Sequence, residues 1–182
     1  MPLTGPYAFV PLPIRVAAMG SRPPRPTLFL ICGLPGAGKT TFAQRLQDEI
    51  PAIRLCPDDW IAALDFPLHD EARRAKLEAL FTSLAFSLLG QGQSVILEFG
   101  FWSRSERDAM RLTARALAVR VEMHYLQAPV DELWRRLQSR NRHLPEGFAP
   151  ITHAQLLRFS GMFEPPGEAE LDLFDSPSRL AP

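Results

Sequence analysis

Between residue 27 and about residue 171, short apolar runs alternate with longer segments in which apolar side chains recur every three or four positions. The short runs are typical of strands buried in a parallel sheet, and the longer segments are typical of amphipathic helices. The pattern predicts strands at Thr27–Cys32, Ala52–Cys56, Ser94–Phe99 and Val119–Leu126, with a fifth, more weakly patterned strand at Leu171–Phe174.

Helices are predicted between these strands, and several have recognisable first turns. Ser103 with Glu106, and Thr152 with Gln155, have the spacing of capping boxes. The predicted helices are Lys39–Ile50, Glu71–Leu89, Ser103–Leu117, one that begins at Pro129, and Thr152–Phe163. This alternation predicts an α/β fold of three layers, with a mostly parallel five-stranded sheet covered by helices on both faces.

Proline content divides the chain into regions. Seven of the 18 prolines fall in residues 1–26, and such a concentration is typical of an extended, poorly packed arm. The remaining length suits one domain. We therefore predict a flexible extension over residues 1–26, a single folded domain over 27–175 with a lid at about 136–152, and a flexible tail over 176–182.

Charge and cysteine content restrict the classes of partner. The 20 basic residues balance 20 acidic ones, so the chain lacks the basic excess typical of nucleic-acid binding, and any phosphate binding must be local. Cys32 and Cys56 are too few for a disulfide framework or a zinc cluster, which favours a reducing cytoplasm. No apolar run approaches the roughly 18 residues that a membrane span requires.

One motif indicates phosphate chemistry. GLPGAGKT satisfies G-x-x-x-x-G-K-[ST] at every position, directly after a predicted buried strand and before an amphipathic helix. A glycine-rich turn that happens to precede a helix is the alternative. The motif predicts binding of ATP, or GTP, through backbone N–H groups, with Lys39 between the β- and γ-phosphates and Thr40 on Mg²⁺. The expected nucleotide contacts are Gly33, Leu34, Pro35, Gly36, Ala37, Gly38, Lys39, Thr40 and Thr41.

Two acids and a tryptophan follow the second predicted strand. Asp58, Asp59 and Trp60 stand at its carboxyl end, where parallel sheets bind their ligands. A carboxylate there can accept the proton of an attacking hydroxyl, so Asp58 is the candidate catalytic base and Asp59 a candidate acceptor contact. The alternative is that one of the two acids caps the next helix.

Glu98 closes the third predicted strand. An acid at this position of a phosphate-loop protein orients Mg²⁺ or its water, and surface placement is the alternative. Phe101 and Trp102 follow it, and with Trp60 they could line an acceptor pocket or simply belong to the core.

The densest basic segment lies on the helix that begins at Pro129. Arg136 and Arg140 are four positions apart, share one helical face, and could clamp the transferred phosphoryl group. A solvated helix end that complements the helix dipole is the alternative. Arg104 and Arg107, at the start of the preceding helix, could reach the acceptor or the lid.

With these residues in hand, the chain resembles small P-loop kinases of the zeta-toxin, chloramphenicol phosphotransferase and polynucleotide kinase group, and it is especially similar to AAA_33-type ATP-binding proteins. The resemblance covers about residues 27–171. It rests on GLPGAGKTT from Gly33, PDDW from Pro57, ILEFGFWSRSERD from Ile96, LWRRLQSRN from Leu133 and FEPP from Phe163.

The resemblance implies specific roles. The first acid after the second strand acts as base in that group, which corresponds to Asp58, and the R-x-x-x-R of the lid helix grips nucleotide phosphates, which corresponds to Arg136 and Arg140. The group's third-strand acid is commonly Asp, whereas here it is Glu98. Polynucleotide kinases carry an arginine two residues after the Asp pair, and here that place is Ile61.

The sequence therefore predicts an ATP- and Mg²⁺-dependent kinase that phosphorylates a hydroxyl of a small molecule such as a metabolite, a nucleotide-sugar or an antibiotic. Two alternatives remain. One is a 5′-hydroxyl polynucleotide kinase, against which Ile61 and the balanced charge argue. The other is a nucleotide-gated regulatory module without small-molecule turnover.

Overall fold

The computed structural model describes residues 25–64, 66, 70–144 and 150–176. Their strands are β1 (Thr27–Cys32), β2 (Ala52–Leu55), β3 (Ser94–Gly100) and β4 (Arg120–Tyr125). These four strands form one parallel sheet in the order β2-β3-β1-β4. The predicted α/β class and parallel sheet are confirmed, and four of the predicted strands lie within two residues of their expected bounds.

Seven helices connect and cover the sheet in the described residues. They are α1 (Lys39–Glu49), α2 (Pro57–Ala63), α3 (Glu71–Gly90), α4 (Arg104–Ala116), α5 (Val130–Asn141), α6 (His153–Met162) and α7 (Glu168–Leu171). Both predicted capping boxes are present, since Ser103 with Glu106 opens α4 and Thr152 with Gln155 opens α6. The short helices α2 and α7 have too few residues for a helical period and were not predicted.

Apolar side chains of the strands alternate between two packed layers. One layer is formed by α1 against the sheet, where Phe42 and Leu46 meet Phe29 and Ile31. The larger layer, on the other face, contains side chains of α3, α4 and the C-terminal segment. Its buried members include Phe81, Ala85, Leu89, Ala114, Phe163 and Phe174. Burial on both faces explains why the strands read as continuous apolar runs.

The predicted fifth strand is wrong. Leu171 ends α7, and the chain then turns through Phe174, so within the described residues the sheet has four strands. Leu171 and Phe174 pack against the sheet, which accounts for their apolar pattern. Asp175 bonds to the backbone of the edge strand β4: its backbone N–H donates to the Val121 carbonyl at 2.8 Å, and its Oδ2 accepts from the Val121 N–H at 2.8 Å.

Parts of the predicted organisation lie outside the described residues, namely residues 1–24 of the extension, the tail beyond residue 176, and residues 145–149 of the lid. No helix among the described residues is both long enough and apolar enough to cross a membrane. Because the strands are parallel, the carboxyl ends of β1, β2 and β3 meet at one edge of the sheet, and the predicted site residues follow these ends.

Candidate active site

The loop between β1 and α1 requires glycine at two positions, because its backbone has positive φ angles there and passes close to other carbonyl oxygens. Gly33 has φ 144°, and a Cβ there would lie 2.4 Å from the Leu126 carbonyl oxygen. Gly36 has φ 83°, and its Cβ would lie 2.9 Å from the Leu133 carbonyl oxygen. The loop thus passes so close to neighbouring backbone that a side chain at either position would displace it.

The same loop leads into α1, whose N-terminus has no side-chain cap. Gly38, with φ 95°, is the N-cap of α1 and provides no side-chain hydrogen bond to the first turn. The N–H groups of that turn lack an intrahelical partner and carry the positive end of the helix dipole. This arrangement suits an oxygen anion such as a phosphate.

Lys39 folds back over the loop. Its Nζ donates to the carbonyl oxygens of Gly33 at 2.9 Å and Leu34 at 3.0 Å. Burial lowers the pKa of Lys39, while the carboxylates of Glu98 and Asp58 act in the opposite direction. The ammonium therefore lies inside the loop, at the place where a phosphate chain would be neutralised.

Thr40 and Glu98 provide a pair of oxygen ligands beside the loop. The Thr40 hydroxyl donates to Glu98 Oε1 at 2.5 Å, and Glu98 is buried at the carboxyl end of β3. Glu98 is thus not a surface acid, which was the alternative. Mg²⁺ prefers oxygen ligands, and in nucleotide sites it takes one or two of them from protein and the rest from phosphates and water. The donor set therefore fits Mg²⁺.

Arg54, on β2, connects this pair with the acidic segment that follows β2. Its Nε donates to Glu98 Oε2 at 2.8 Å, and its NH2 lies 2.6 Å from the same oxygen. Its NH1 donates to Asp59 Oδ2 at 2.7 Å. One half-buried guanidinium thus fixes Oε2 of Glu98 and leaves Oε1 facing Thr40.

Asp58 and Asp59 lie in the first turn of α2, after Pro57, and the N-cap residue is Cys56. Neither acid is therefore the N-cap, although both complement the helix dipole. Asp58 forms a close ion pair with Arg74 of α3 and is 49% exposed. Its negative charge also acts to raise the pKa of Lys39 and of Arg140. The candidate base, the loop lysine and the lid helix are thus brought together.

The aromatic residues divide between surface and core. Trp60 is 49% exposed and meets Phe81 edge-on at 5.2 Å between ring centroids. Trp102 packs instead against Phe159 at 5.2 Å and Phe163 at 6.5 Å, and Phe101 is buried. Trp60 is therefore open to solvent, whereas Trp102 joins the loop after β3 to α6.

The FEPP segment, whose role the sequence did not explain, holds that loop in place. The Glu164 N–H donates to the Trp102 carbonyl at 2.9 Å, and the Glu164 carboxylate accepts from the Arg104 N–H at 2.8 Å. A carboxylate at the N-terminus of α4 satisfies a free backbone donor there. The segment thus ties the C-terminal part of the domain to the carboxyl end of β3.

Arg107 is occupied by a structural contact. Its side chain is 1% exposed, and it donates to both carboxylate oxygens of Glu170 at 2.6 and 3.0 Å and to the Phe101 carbonyl at 3.0 Å. The pair supports Phe101, whose φ of 48° is unusual for a bulky side chain. Arg104 is largely exposed and pairs with Asp108. We therefore leave Arg107 out of the proposed acceptor contacts.

The two candidate clamp arginines differ. Arg136 donates to Glu132 Oε1 at 2.7 Å on the outside of α5, and it would have to leave Glu132 to bind phosphate. Burial lowers the pKa of Arg140, and the nearby Asp58 partly offsets this. Arg140 is exposed but lies within electrostatic reach of Asp58, whereas Arg136 is held by Glu132.

Sequence reasoning missed Arg54, Arg74 and Glu78. Arg54 could have been found, because a charged residue inside the apolar strand β2 needs a buried partner. Arg74 and Glu78 gave no such signal, since an i,i+4 pair of opposite charges is also what a solvated helix face presents.

A sequence profile of the AAA_33 family, described as an AAA domain, matches residues 28–166. The chain belongs to the AAA_33 family. The predicted relationship is thereby confirmed. No curated protein matches the chain significantly.

Solved structures share the fold of this AAA_33 chain at low sequence identity. A chain of the Pnkp1/Rnl/Hen1 RNA repair complex is 20% identical with a TM-score of 0.66, covering 87% of this chain and 49% of that one. Kti12 from Chaetomium thermophilum, in complex with ADP-AlF3, is 17% identical with a TM-score of 0.60, covering 78% and 82%. A gluconokinase from Sinorhizobium meliloti 1021 is 19% identical with a TM-score of 0.57, covering 80% of each chain. This chain therefore spans about half of the first protein and has the fold of P-loop kinases.

Proposed function

We propose that this chain is a kinase that transfers the γ-phosphoryl group of ATP to a hydroxyl of a small-molecule acceptor. The observation that supports the proposal most is the convergence of a complete phosphate-binding loop with an accessible carboxylate, Asp58, at one edge of the sheet. A loop alone would suit any nucleotide-binding protein. A half-exposed acid beside it gives an incoming hydroxyl a base.

The roles follow from the geometry. The N–H groups at the start of α1 and the Lys39 ammonium bind the phosphate chain. Thr40 and Glu98 would hold Mg²⁺, which when bound neutralises β- and γ-phosphate charge. Asp58 accepts the proton of the acceptor hydroxyl. Arg140, joined by Arg136 once it leaves Glu132, stabilises the charge that spreads over the transferred group.

The acceptor would lie on the α2 side of the loop. Asp58, Asp59 and Trp60 belong to one short helix there, and Arg74 and Glu78 face Asp58 from α3. Carboxylates and a guanidinium in contact with one another, on a helix that also carries an exposed indole, suit a polar, hydroxylated molecule. The gluconokinase among the structural neighbours has such an acceptor by name.

The variant Asp58→Asn tests the base directly. We expect phosphoryl transfer to fall by about 10²-fold or more, because general-base assistance is worth that much, while ATP affinity stays within about twofold. Asp131→Asn removes a first-turn carboxylate from α5 and is the matched control. Transfer by the Asp58 variant at the rate of the control would refute the assignment. The assay is a γ-phosphate transfer screen over nucleosides, sugars, nucleotide-sugars and hydroxylated antibiotics.

A second candidate is a 5′-hydroxyl polynucleotide kinase. The observation that favours it is the similarity to a chain of an RNA repair complex over 87% of this chain. Labelling of a 5′-hydroxyl oligonucleotide, steeply weakened by salt, would favour this function. ATP binding with no transfer to any acceptor, together with a stable protein complex, would instead indicate a regulatory module.

A further inference from the structure

The ion pair between Asp58 and Arg74 presents a problem for the proposed reaction. A carboxylate that accepts a charge-assisted hydrogen bond from a guanidinium is a weaker proton acceptor than a free one. Arg74 holds Oδ1 of Asp58, so release from Arg74 would make this carboxylate a stronger acceptor for the hydroxyl proton. Arg74 would then keep its charge in a pocket where its side chain is only 24% exposed.

Two other carboxylates of α3, those of Glu71 and Glu78, act on Arg74, but neither forms a hydrogen bond with it. Glu78 Oε1 is 3.7 Å from Arg74 NH1, beyond hydrogen-bond distance. Burial, helped by nearby Glu106 and Asp58, raises the pKa of Glu78 to about 7, so it carries only part of a negative charge at neutral pH. Arg140, on which Asp58 also acts, adds further positive charge. A neutral acceptor would thus leave cationic charge unpaired in a partly desolvated pocket, which is costly.

Resting on the proposed function, we propose that Arg74 is the binding residue for an anionic group of the acceptor, and that its pairing with Asp58 silences the base until that group arrives. A carboxylate or phosphate near the accepting hydroxyl would take the place of Asp58 on Arg74. The freed Asp58 then removes the hydroxyl proton as the acceptor oxygen bonds to the γ-phosphorus. The bond from that phosphorus to the β,γ-bridging oxygen breaks, which gives the phosphorylated acceptor and ADP.

The pairing would also protect ATP. Water reaches a half-exposed Asp58 easily, and an unpaired base beside bound ATP would activate water in place of the acceptor. A base that is released only by an anionic acceptor restricts cleavage of the β,γ-phosphate bond to transfer and suppresses hydrolysis of ATP by water. The suppression of ATP hydrolysis and the preference for an anionic acceptor can be measured separately, since hydrolysis is assayed without an acceptor.

The first measurement is ATP hydrolysis without acceptor. We expect Arg74→Gln to raise the rate by about threefold or more, because a modest change in barrier has that effect. Adding Asp58→Asn to this variant should remove the gain. Arg73→Gln deletes the neighbouring, more exposed arginine and is the matched control, expected to match wild type. No gain in Arg74→Gln, or a gain that survives loss of Asp58, would overturn the silencing.

The second measurement compares acceptors in pairs: glycerate with glycerol, gluconate with glucose, and a nucleoside 3′-phosphate with the nucleoside. In wild type, kcat/KM should be at least about tenfold higher for the anionic member, since an unpaired charge costs that much or more. Arg74→Gln should erase the preference mainly through KM, and Arg74→Lys should restore part of it. The first two pairs against the third distinguish a carboxylate from a phosphate.

The outcomes separate this inference from the proposed function. Transfer to both members of a pair with equal kcat/KM in wild type and Arg74→Gln would leave the kinase standing and refute the role of Arg74. ATP hydrolysis that ignores Asp58→Asn, with no transfer to any member, would refute the kinase and the inference together. Thermal unfolding within a few degrees of wild type establishes that each variant is folded.

Discussion

Two arginine–carboxylate pairs stand on either side of the phosphate-binding loop, and they differ in their access to water. The side chains of Arg107 and Glu170 are 1% and 5% exposed, whereas those of Arg74 and Asp58 are 24% and 49% exposed. The first pair also supports the strained backbone at Phe101. The same chemistry thus fixes the loop after β3 on one side and leaves an exchangeable contact on the other.

The largest expected effect on stability comes from breaking the buried pair of Arg107 and Glu170. Glu170→Ala should lower the free energy of unfolding by about 3–5 kcal/mol, because Arg107 would be left charged and buried without its partner. Asp172→Ala, at an exposed position just beyond the same helix, should change it by less than about 0.5 kcal/mol. Urea unfolding measures both. Equal small losses in the two variants would mean that the buried pair does not stabilise the fold.

Arg54 lies between these extremes and sharpens the comparison. Arg54→Gln should cost about 2–3 kcal/mol, since the buried carboxylate of Glu98 loses its charged partner and keeps only Thr40. Combining it with Glu98→Gln should restore part of this loss, because no unpaired charge then remains. Urea unfolding of the two single variants and the double variant gives the coupling energy, and strict additivity would contradict the pairing.

Glu78, which lies beside the partly exposed pair of Arg74 and Asp58, makes the free energy of unfolding depend on pH. Its pKa is raised from 4.5 to about 7, chiefly by burial, so the native chain holds a proton that the unfolded chain has released. The stability that Glu78 contributes is therefore complete below about pH 4.5 and is lost as the pH rises through 7. Relative to Glu78→Gln, wild type should lose about 1–2 kcal/mol between pH 5 and pH 8, allowing for partial exposure. An unfolding difference independent of pH would contradict this.

The smallest expected effect is a change in the reactivity of the thiols of Cys32 and Cys56. Burial raises the pKa of both Cys32 and Cys56 to about 12, so neither should react readily with a thiol reagent at neutral pH. Cys32 Sγ contacts the Phe101 carbonyl, which Arg107 also holds. Glu170→Ala should therefore increase labelling of Cys32 and leave Cys56 unchanged. Mass spectrometry of the labelled peptides measures each thiol, and equal labelling would show that the pair does not control local opening.

The sequence predicted the fold around the glycine-rich loop well because its constraints are local. Gly33, Gly36 and Gly38 have backbone angles that glycine adopts readily, and the strand and helix on either side follow from periodicity. The position of Glu98 beside Thr40 also followed, since parallel strands end at one edge. These predictions needed only neighbours in sequence and the rule for where strands end.

The two arginine–carboxylate pairs could not be predicted in the same way, because their contacts join distant segments. Arg74 is 16 positions from Asp58, and Glu170 is 63 positions from Arg107. A charged residue on a helix looks the same in sequence whether it faces water or a distant carboxylate. The erroneous fifth strand has the same origin, since Leu171 and Phe174 are apolar for packing and not for strand pairing.

The contact of Asp175 with Val121 has a consequence for association between molecules. Strand β4 lies at the edge of the sheet, and an open edge can pair with the edge of another chain. Asp175 occupies both the N–H and the carbonyl of Val121, and Arg115 at 2.9 Å and a nearby Arg120 surround it with charge. One residue thus blocks the amino-terminal part of the edge and discourages the strand-to-strand growth from which aggregates begin.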